Sequence, residues 1–236
     1  NGQEDRLTLV IEMVIDREGV LQSWEVFRAL VRSPAKLAYD SVAAGLEGNG
    51  PLPEGIAAVS GLDENLRLQD RAAQGLRAFR NLQGALNFET IEARPLFDGD
   101  RISELSVEKK NRARGLIEDF MIAANGVAAK FLFEKKFPFL RRVVRTPNRW
   151  DRIVALAREQ GFRLPEEPDS KALEGFLMKA RADDPVRFPD LSLAIIKLLG
   201  AGEYVSELPG EAVPGHFGLA AKDYVHSTAP SAVIPI

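Results

Sequence analysis

The side chains that could do chemistry in this chain are few and widely scattered. Glu118 and Asn125 lie seven positions apart, which at 100° per residue puts them within about 20° of each other on a helix. Both fall at the edge of an apolar stripe, so the carboxylate of Glu118 stands at the rim of a core, where it can reach a ligand. The plainer reading is a solvated acid on an amphipathic helix. Tyr39, near a helix start, offers a hydroxyl donor or fills the role of a half-buried aromatic. Phe88 sits in an apolar stretch and reads as a core residue. His216 and His226 are the only histidines, with Tyr224 between them and Thr228 just beyond. No cysteine is present and no carboxylate stands three or four residues after His216, so these residues do not make a metal cluster. Two histidines crowded into one segment do not make a Ser–His–Asp arrangement either, and a structural role fits them better. The pairs Asp98/Asp100 and Asp183/Asp184 read as turn and helix-end residues.

Charge supplies one further candidate. Between Lys130 and Arg152 stand eight basic residues (Lys130, Lys135, Lys136, Arg141, Arg142, Arg145, Arg149, Arg152) against Glu134 and Asp151. Such a stretch could neutralise phosphates with a salt-dependent affinity, or be an ordinary solvated face. The net charge of −3 excludes a protein coated in basic charge but allows a local basic groove.

These residues need elements to hold them. Leu7 to Ile15 is β-branched and apolar, Asp16–Gly19 reads as a turn, and Val20 to Leu30 completes a hairpin. A short helix over Ala38–Leu46 carries Tyr39. Asp63 to Asn81 has helical spacing (Leu66, Ala73, Leu76, Phe79). Two strands are expected at Ala85–Ile91 and Arg101–Val107, joined across Asp98-Gly99-Asp100. The strongest helix runs from about Lys110 to Lys135, with Leu116, Phe120, Ala124, Val127 and Phe131 in one stripe. Helices near Asn148–Gln160, Ser170–Ala182 and Leu191–Leu199 follow. The expectation is one α+β domain over residues 1–236, a mixed β-sheet packed with helices and a helical second half.

Composition agrees. With 236 residues, 45% of them hydrophobic and 28% charged, the chain is long enough for a sizeable globular core. No apolar run approaches the roughly 18–20 residues of a membrane span. The polar start, Asn1-Gly2-Gln3-Glu4-Asp5-Arg6, lacks the pattern of a signal peptide. Without cysteine there are no disulfides, and a reducing cytoplasmic setting fits.

Four ordered segments carry a resemblance. Pro214-Gly215-His216-Phe217-Gly218-Leu219-Ala220, followed by Tyr224-Val225-His226-Ser227-Thr228-Ala229-Pro230, resembles the signature H-F-G-L…Y-x-H/T-x-T-S/A-P. That signature lies near the end of the catalytic domain of the ribonuclease II (RNB) family of 3′→5′ exoribonucleases. Leu116-Ile117-Glu118-Asp119-Phe120-Met121-Ile122-Ala123-Ala124-Asn125 is similar to the family's L/I-V/I-E-E/D-x-M-I/L-x-A-N helix. Ser33-Pro34-Ala35-Lys36-Leu37-Ala38-Tyr39-Asp40 is similar to S-x-x-K/R-L-T/V-Y-D/E, and Gly84-Ala85-Leu86-Asn87-Phe88 to G-A-L-x-F. Phe139 to Pro147 is similar, more loosely, to L-Y-R-V/N-H-x-x-P.

The resemblance implies a partner and a set of roles. Single-stranded RNA would be degraded processively from its 3′ end to nucleoside 5′-monophosphates. Tyr39 would hold the terminal nucleotides, Phe88 would stack on a base, and Glu118 would bond a ribose hydroxyl and so help to tell RNA from DNA. Asn125, His216, Tyr224, His226 and Thr228 would line or support the path of the RNA backbone. Hydrolysis would need Mg2+ held by an aspartate cluster that the family carries upstream of everything matched here. The expectation is therefore a partial catalytic domain, without flanking cold-shock and S1-type domains and inactive unaided, with the N-terminal part of that domain as a further partner. A non-catalytic RNA-binding relic and a helical protein-interaction scaffold are the alternatives. The family's Arg-rich tail, I/N-R-R/K-Y-x-D, is replaced by Ser231-Ala232-Val233-Ile234-Pro235-Ile236. One extra nucleotide after the Ser231 codon in a GC-rich back-translation yields Arg-Arg-Tyr-Pro-Asp, so the tail reads as frameshifted.

Overall fold

The computed structural model describes residues 4–108, 110–211 and 213–228. The tail after Ser231 lies outside the described residues, as do Ala229 and Pro230.

The chain opens with two long antiparallel strands, β1 (Arg6–Ile15) and β2 (Leu21–Val31), paired from Arg6↔Val31 to Ile15↔Leu21. Their turn is built by Asp16, whose Oδ1 accepts the N–H groups of Glu18 and Val20, the self-bonding turn chemistry that Asp favours. Trp24 of this hairpin meets Phe131 edge-on, with ring centroids 6.3 Å apart. Two short helices follow, α1 (Tyr39–Leu46) and α2 (Glu54–Ala57). A pair of long ones comes next in space: α3 (Leu62–Leu82) and α4 (Arg112–Glu134). Val42, Ala43 and Ile56 join Leu66 and Ala113 in the core under this pair. The start of α4 is set by Asn111, whose side chain accepts the N–H of Arg114 as an N-cap, an interaction worth about 1 kcal/mol.

Between the two long helices lies a second hairpin, β3 (Glu92–Asp98) with β4 (Arg101–Glu108), closed by Gly99. After α4 come β5 (Phe139–Val143), then α5 (Trp150–Glu159), α6 (Ser170–Asp183) and α7 (Phe188–Leu199), then β6 (Glu203–Glu207), which returns to pair antiparallel with β5. The last three helices enclose the main core, where Ile153, Leu173, Phe176, Leu177, Phe188 and Ile195 are all but inaccessible. Burying each such side chain contributes roughly 1.5–3 kcal/mol.

The α+β class and the helical second half agree with the sequence reading. Its β part differs from the expected mixed sheet: the named strands form three separate antiparallel pairs. The strand expected at Ala85–Ile91 is not one. The backbone N–H of Leu86 goes to Gly218 O (2.8 Å), that of Asn87 to the Glu174 carboxylate (2.8 Å) and that of Glu89 to Ser192 Oγ (3.3 Å). Anchored to three separate partners, the segment has no ladder to join, and pairing begins only at Glu92. Strands β5 and β6 and the 3-10 turn Phe217–Leu219 carry no clear local periodicity and were not expected.

Candidate RNA-binding cleft

The polar end of α3 and the first turns of α4 face the 85–91 segment across a cleft of about 800 Å³, closed at its far side by Arg181, Pro189 and Leu219. Six basic side chains line it (Arg77, Arg80, Lys110, Arg112, Arg114, Arg181) against three acids (Glu89, Glu118, Asp119). A concave site with this excess of cations attracts a polyanion.

Gly84 sets the path of one wall. Its φ is +94°, and a Cβ there would stand 2.8 Å from the backbone nitrogen of Lys171, so both conformation and space call for glycine. The chain then turns Phe88 into a half-buried position, one side against the helical core and the other lining the cleft. Glu118 projects from α4 into the same cleft and is exposed. Tyr39 is 48% exposed at the start of α1, with the Arg114 guanidinium 5.5 Å from its ring centroid. Phe88, Glu118 and Arg114 line the cleft together, and Tyr39 lies outside that lining, next to it through Arg114.

The remaining expected residues form a second, closed group. Asn125 is 0% exposed. Its Nδ2 donates to Tyr224 Oη (3.2 Å), while its Oδ1 accepts from the backbone and hydroxyl groups of Ser227 and Thr228 at 2.8–3.3 Å. The amide is a hub that pins the 224–228 segment to α4. Burial raises the pKa of the Tyr224 phenol. Both histidine rings pack edge-on against Tyr224, His216 at 5.6 Å and His226 at 5.7 Å. His216 caps the 3-10 turn by accepting the Leu219 N–H at Nδ1 (3.1 Å), which requires the neutral ring. Burial, and then the nearby Arg142, push its pKa down to about 4. His226 is lowered for the same two reasons and shares a 2.8 Å hydrogen bond with Tyr204 Oη. Thr228 and Ser227 are exposed beyond this packing. The segment also follows β5: Arg142 N donates to Tyr224 O (2.9 Å) and Phe217 N to Val144 O (2.8 Å). Leu219 brings its edge to the cleft wall.

The basic stretch of residues 130–152 does not make the groove. Arg141 is buried, paired with Glu207 and with Asp223 (2.9 Å), and it donates to Lys222 O. Arg145 pairs with Glu203 at 3.3 Å, and Arg149 donates to Lys197 O. Strand β6 thus answers much of the charge. The basic residues that line the α3/α4 cleft are Arg77 and Arg80 of α3, Lys110, Arg112 and Arg114 at the start of α4, and Arg181 of α6.

Asp119, Arg77 and Arg80 are cleft residues that spacing alone did not single out. Asp119 is 1% exposed and receives Arg80 Nη2 on Oδ1 (2.6 Å) and Arg77 Nη2 on Oδ2 (2.9 Å). A signal existed: Asp119 stands three residues from both Leu116 and Ile122, on the buried face, where an acid needs a cation.

The RNB domain matches residues 1–232 of this sequence. The chain belongs to the RNB domain family. Among RNB relatives, the Ribonuclease R of Vibrio parahaemolyticus is 33% identical over 245 residues, covering 98% of this chain and 27% of that protein. The chain therefore spans about a quarter of that relative's length. The structure of Mycoplasma genitalium RNase R in complex with ribose methylated single-stranded RNA superposes with a TM-score of 0.81 at 19% identity, over 98% of this chain and 35% of that one. Yeast Ssd1, described as a pseudonuclease, superposes with a TM-score of 0.67 at 16% identity, over 98% of this chain and 28% of that one. The RNB fold is thus shared with proteins of both descriptions.

Among the described residues no three His, Asp or Glu side chains converge on a place that could hold a metal ion. The described residues therefore offer no set of ligands for the Mg2+ that the resemblance implies. Among the same residues no helix is long and apolar enough to cross a membrane.

Proposed function

We propose that this RNB chain forms part of a ribonuclease II-like 3′→5′ exoribonuclease and grips the 3′ end of single-stranded RNA in the α3/α4 cleft. The observation that carries the reading is that Phe88 and Glu118 line one basic cleft, with Tyr39 against Arg114 of the same lining. A phenyl face, a carboxylate and several guanidiniums match a base, a ribose hydroxyl and phosphates in turn. Phe88 stacks on a base near the 3′ end, an interaction tolerant of sequence because every base has a π-face. Glu118 accepts the 2′-hydroxyl, the one group that distinguishes RNA from DNA at a given position. Tyr39 orients the terminal nucleotide at the rim. The 216–228 segment holds the wall behind, with Asn125, Tyr224 and the neutral His216 and His226 fixing its shape and Thr228 facing outward. This chain's part is to bind and orient the strand. The water-activating Mg2+ of such hydrolases and its aspartates lie outside the described residues in this reading, and the setting is cytoplasmic. The curated relative's name and the RNA bound to the Mycoplasma protein support RNA as the ligand.

The test is direct. The chain is titrated with 5′-labelled single-stranded RNA, then supplied with the aspartate-bearing upstream part and Mg2+. Salt-dependent binding followed by stepwise 3′ shortening to nucleoside 5′-monophosphates is expected. Binding without any shortening favours a non-catalytic RNA-binding protein on the same fold, a fold that yeast Ssd1, a pseudonuclease, also has. No binding at low salt overturns the proposal.

A further inference from the structure

Asp119 carries one negative charge and holds two arginines, so the trio keeps a net positive charge inside the cleft. The two cations are not equivalent. Arg80 is 19% exposed at its side chain, and its Nε and Nη1 are buried without a partner among the described residues. Arg77 is 42% exposed, and among the described residues Asp119 is its sole partner. Its guanidinium packs against α4 where Gly115 leaves room: a Cβ on Gly115 would stand 2.3 Å from Arg77 Nη2. A long, flexible cation that lines the cleft is thus seated by a buried carboxylate and by a missing side chain beside it.

We infer that Arg77 is a phosphate-binding residue for the strand in this cleft, with Asp119 and Gly115 as its positioning residues. The inference rests on the RNA reading above and adds to it a hold on the strand's backbone that Tyr39, Phe88 and Glu118 do not supply. Seating reduces the rotamer freedom that a free arginine would lose on binding, and the planar fork suits the paired oxygens of a phosphodiester. Such a pairing reads no base and no 2′-hydroxyl, so it serves RNA and DNA alike.

The experiment measures the anisotropy of labelled single-stranded RNA, and of DNA of the same sequence, over a potassium chloride series without divalent metal. The wild-type chain is compared with R77Q, R77K and G115A. Removing the cation that neutralises one phosphate of a single strand flattens the salt slope by about 0.7 and weakens binding roughly five-fold at about 0.1 M salt. R77Q should show both changes on RNA and DNA equally, and R77K should recover the slope. G115A should weaken binding while keeping or raising the thermal midpoint, since alanine is the better helix former. Salt-dependent wild-type binding that R77Q leaves unchanged overturns the inference and leaves the cleft reading standing. Weakening by R77Q with none by G115A overturns the positioning role of Gly115. A wild-type chain that binds neither strand overturns both the inference and the reading beneath it.

Discussion

The α3/α4 cleft and the 216–228 segment meet along one wall, yet they use polar groups in opposite ways. In the cleft, one buried acid orders two arginines, which leaves the trio with surplus positive charge. In the segment, the amide of Asn125 is committed inward to Tyr224, Ser227 and Thr228, and the histidines are kept neutral by burial. The contrast teaches that motif residues divide into those that offer chemistry and those that shape the place where it is offered. Glu118 and Asn125, within about 20° of each other by helical geometry, fall on opposite sides of that division: the first is exposed, the second sealed.

The largest effect is expected at the base of the cleft. Asp119→Ala leaves two arginines without their shared buried partner and should cost about 3–5 kcal/mol in denaturant unfolding. A loss below about 1 kcal/mol would mean that the trio is an exposed surface pairing and not a built one. Next comes the hub. Asn125→Ala strands the Tyr224 hydroxyl and the Ser227 and Thr228 donors, some of which water can reach, and should cost about 2–3 kcal/mol. RNA affinity should fall only in proportion to the unfolded fraction. A loss of binding in fully folded protein would move Asn125 to the ligand side of the comparison.

Phe88→Ala tests the open region in the other currency. RNA affinity should drop by about 1–3 kcal/mol, and that drop should be the same for different base sequences. Equal loss of stability with unchanged affinity would make Phe88 a core residue alone. Glu118→Gln should leave stability within about 0.5 kcal/mol and narrow the preference for RNA over DNA, read by paired titrations.

A further effect concerns pH. His216 has a folded pKa of about 4 against an ordinary value near 6.5, so the unfolded chain takes up the proton first. Its contribution is complete above about pH 6.5 and is lost as the pH falls toward 4. His226, also lowered, acts with the same sign. Allowing for partial exposure, the loss from His216 should be about 1–2 kcal/mol. His216→Asn keeps a capping acceptor without the titration and should flatten the stability profile over this window. An unchanged profile would show that the ring is not held neutral by its surroundings.

Much of the fold was legible because its signals are local. The apolar stripe of α4, the Asp16 turn between β1 and β2, and the three helices of the second half each follow from neighbours a few residues apart. Failures fell where partners are remote. Residues 85–91 look like a strand by composition, but their donors are claimed by Gly218, Glu174 and Ser192. The Lys130–Arg152 stretch looks like a groove because its acids, Glu203 and Glu207, arrive on β6 some sixty residues later.

By itself the sequence determined the first hairpin, the main helices, the RNB motifs and the candidates Tyr39, Phe88 and Glu118, because periodicity and motif spacing are properties of the chain alone. Only the tertiary structure decided which charges remain available. Asp119 meets Arg77 and Arg80 across two helices distant in sequence. Whether a cation is quenched or offered depends on burial and on the nearest opposite charge in space, and neither quantity is written in local order.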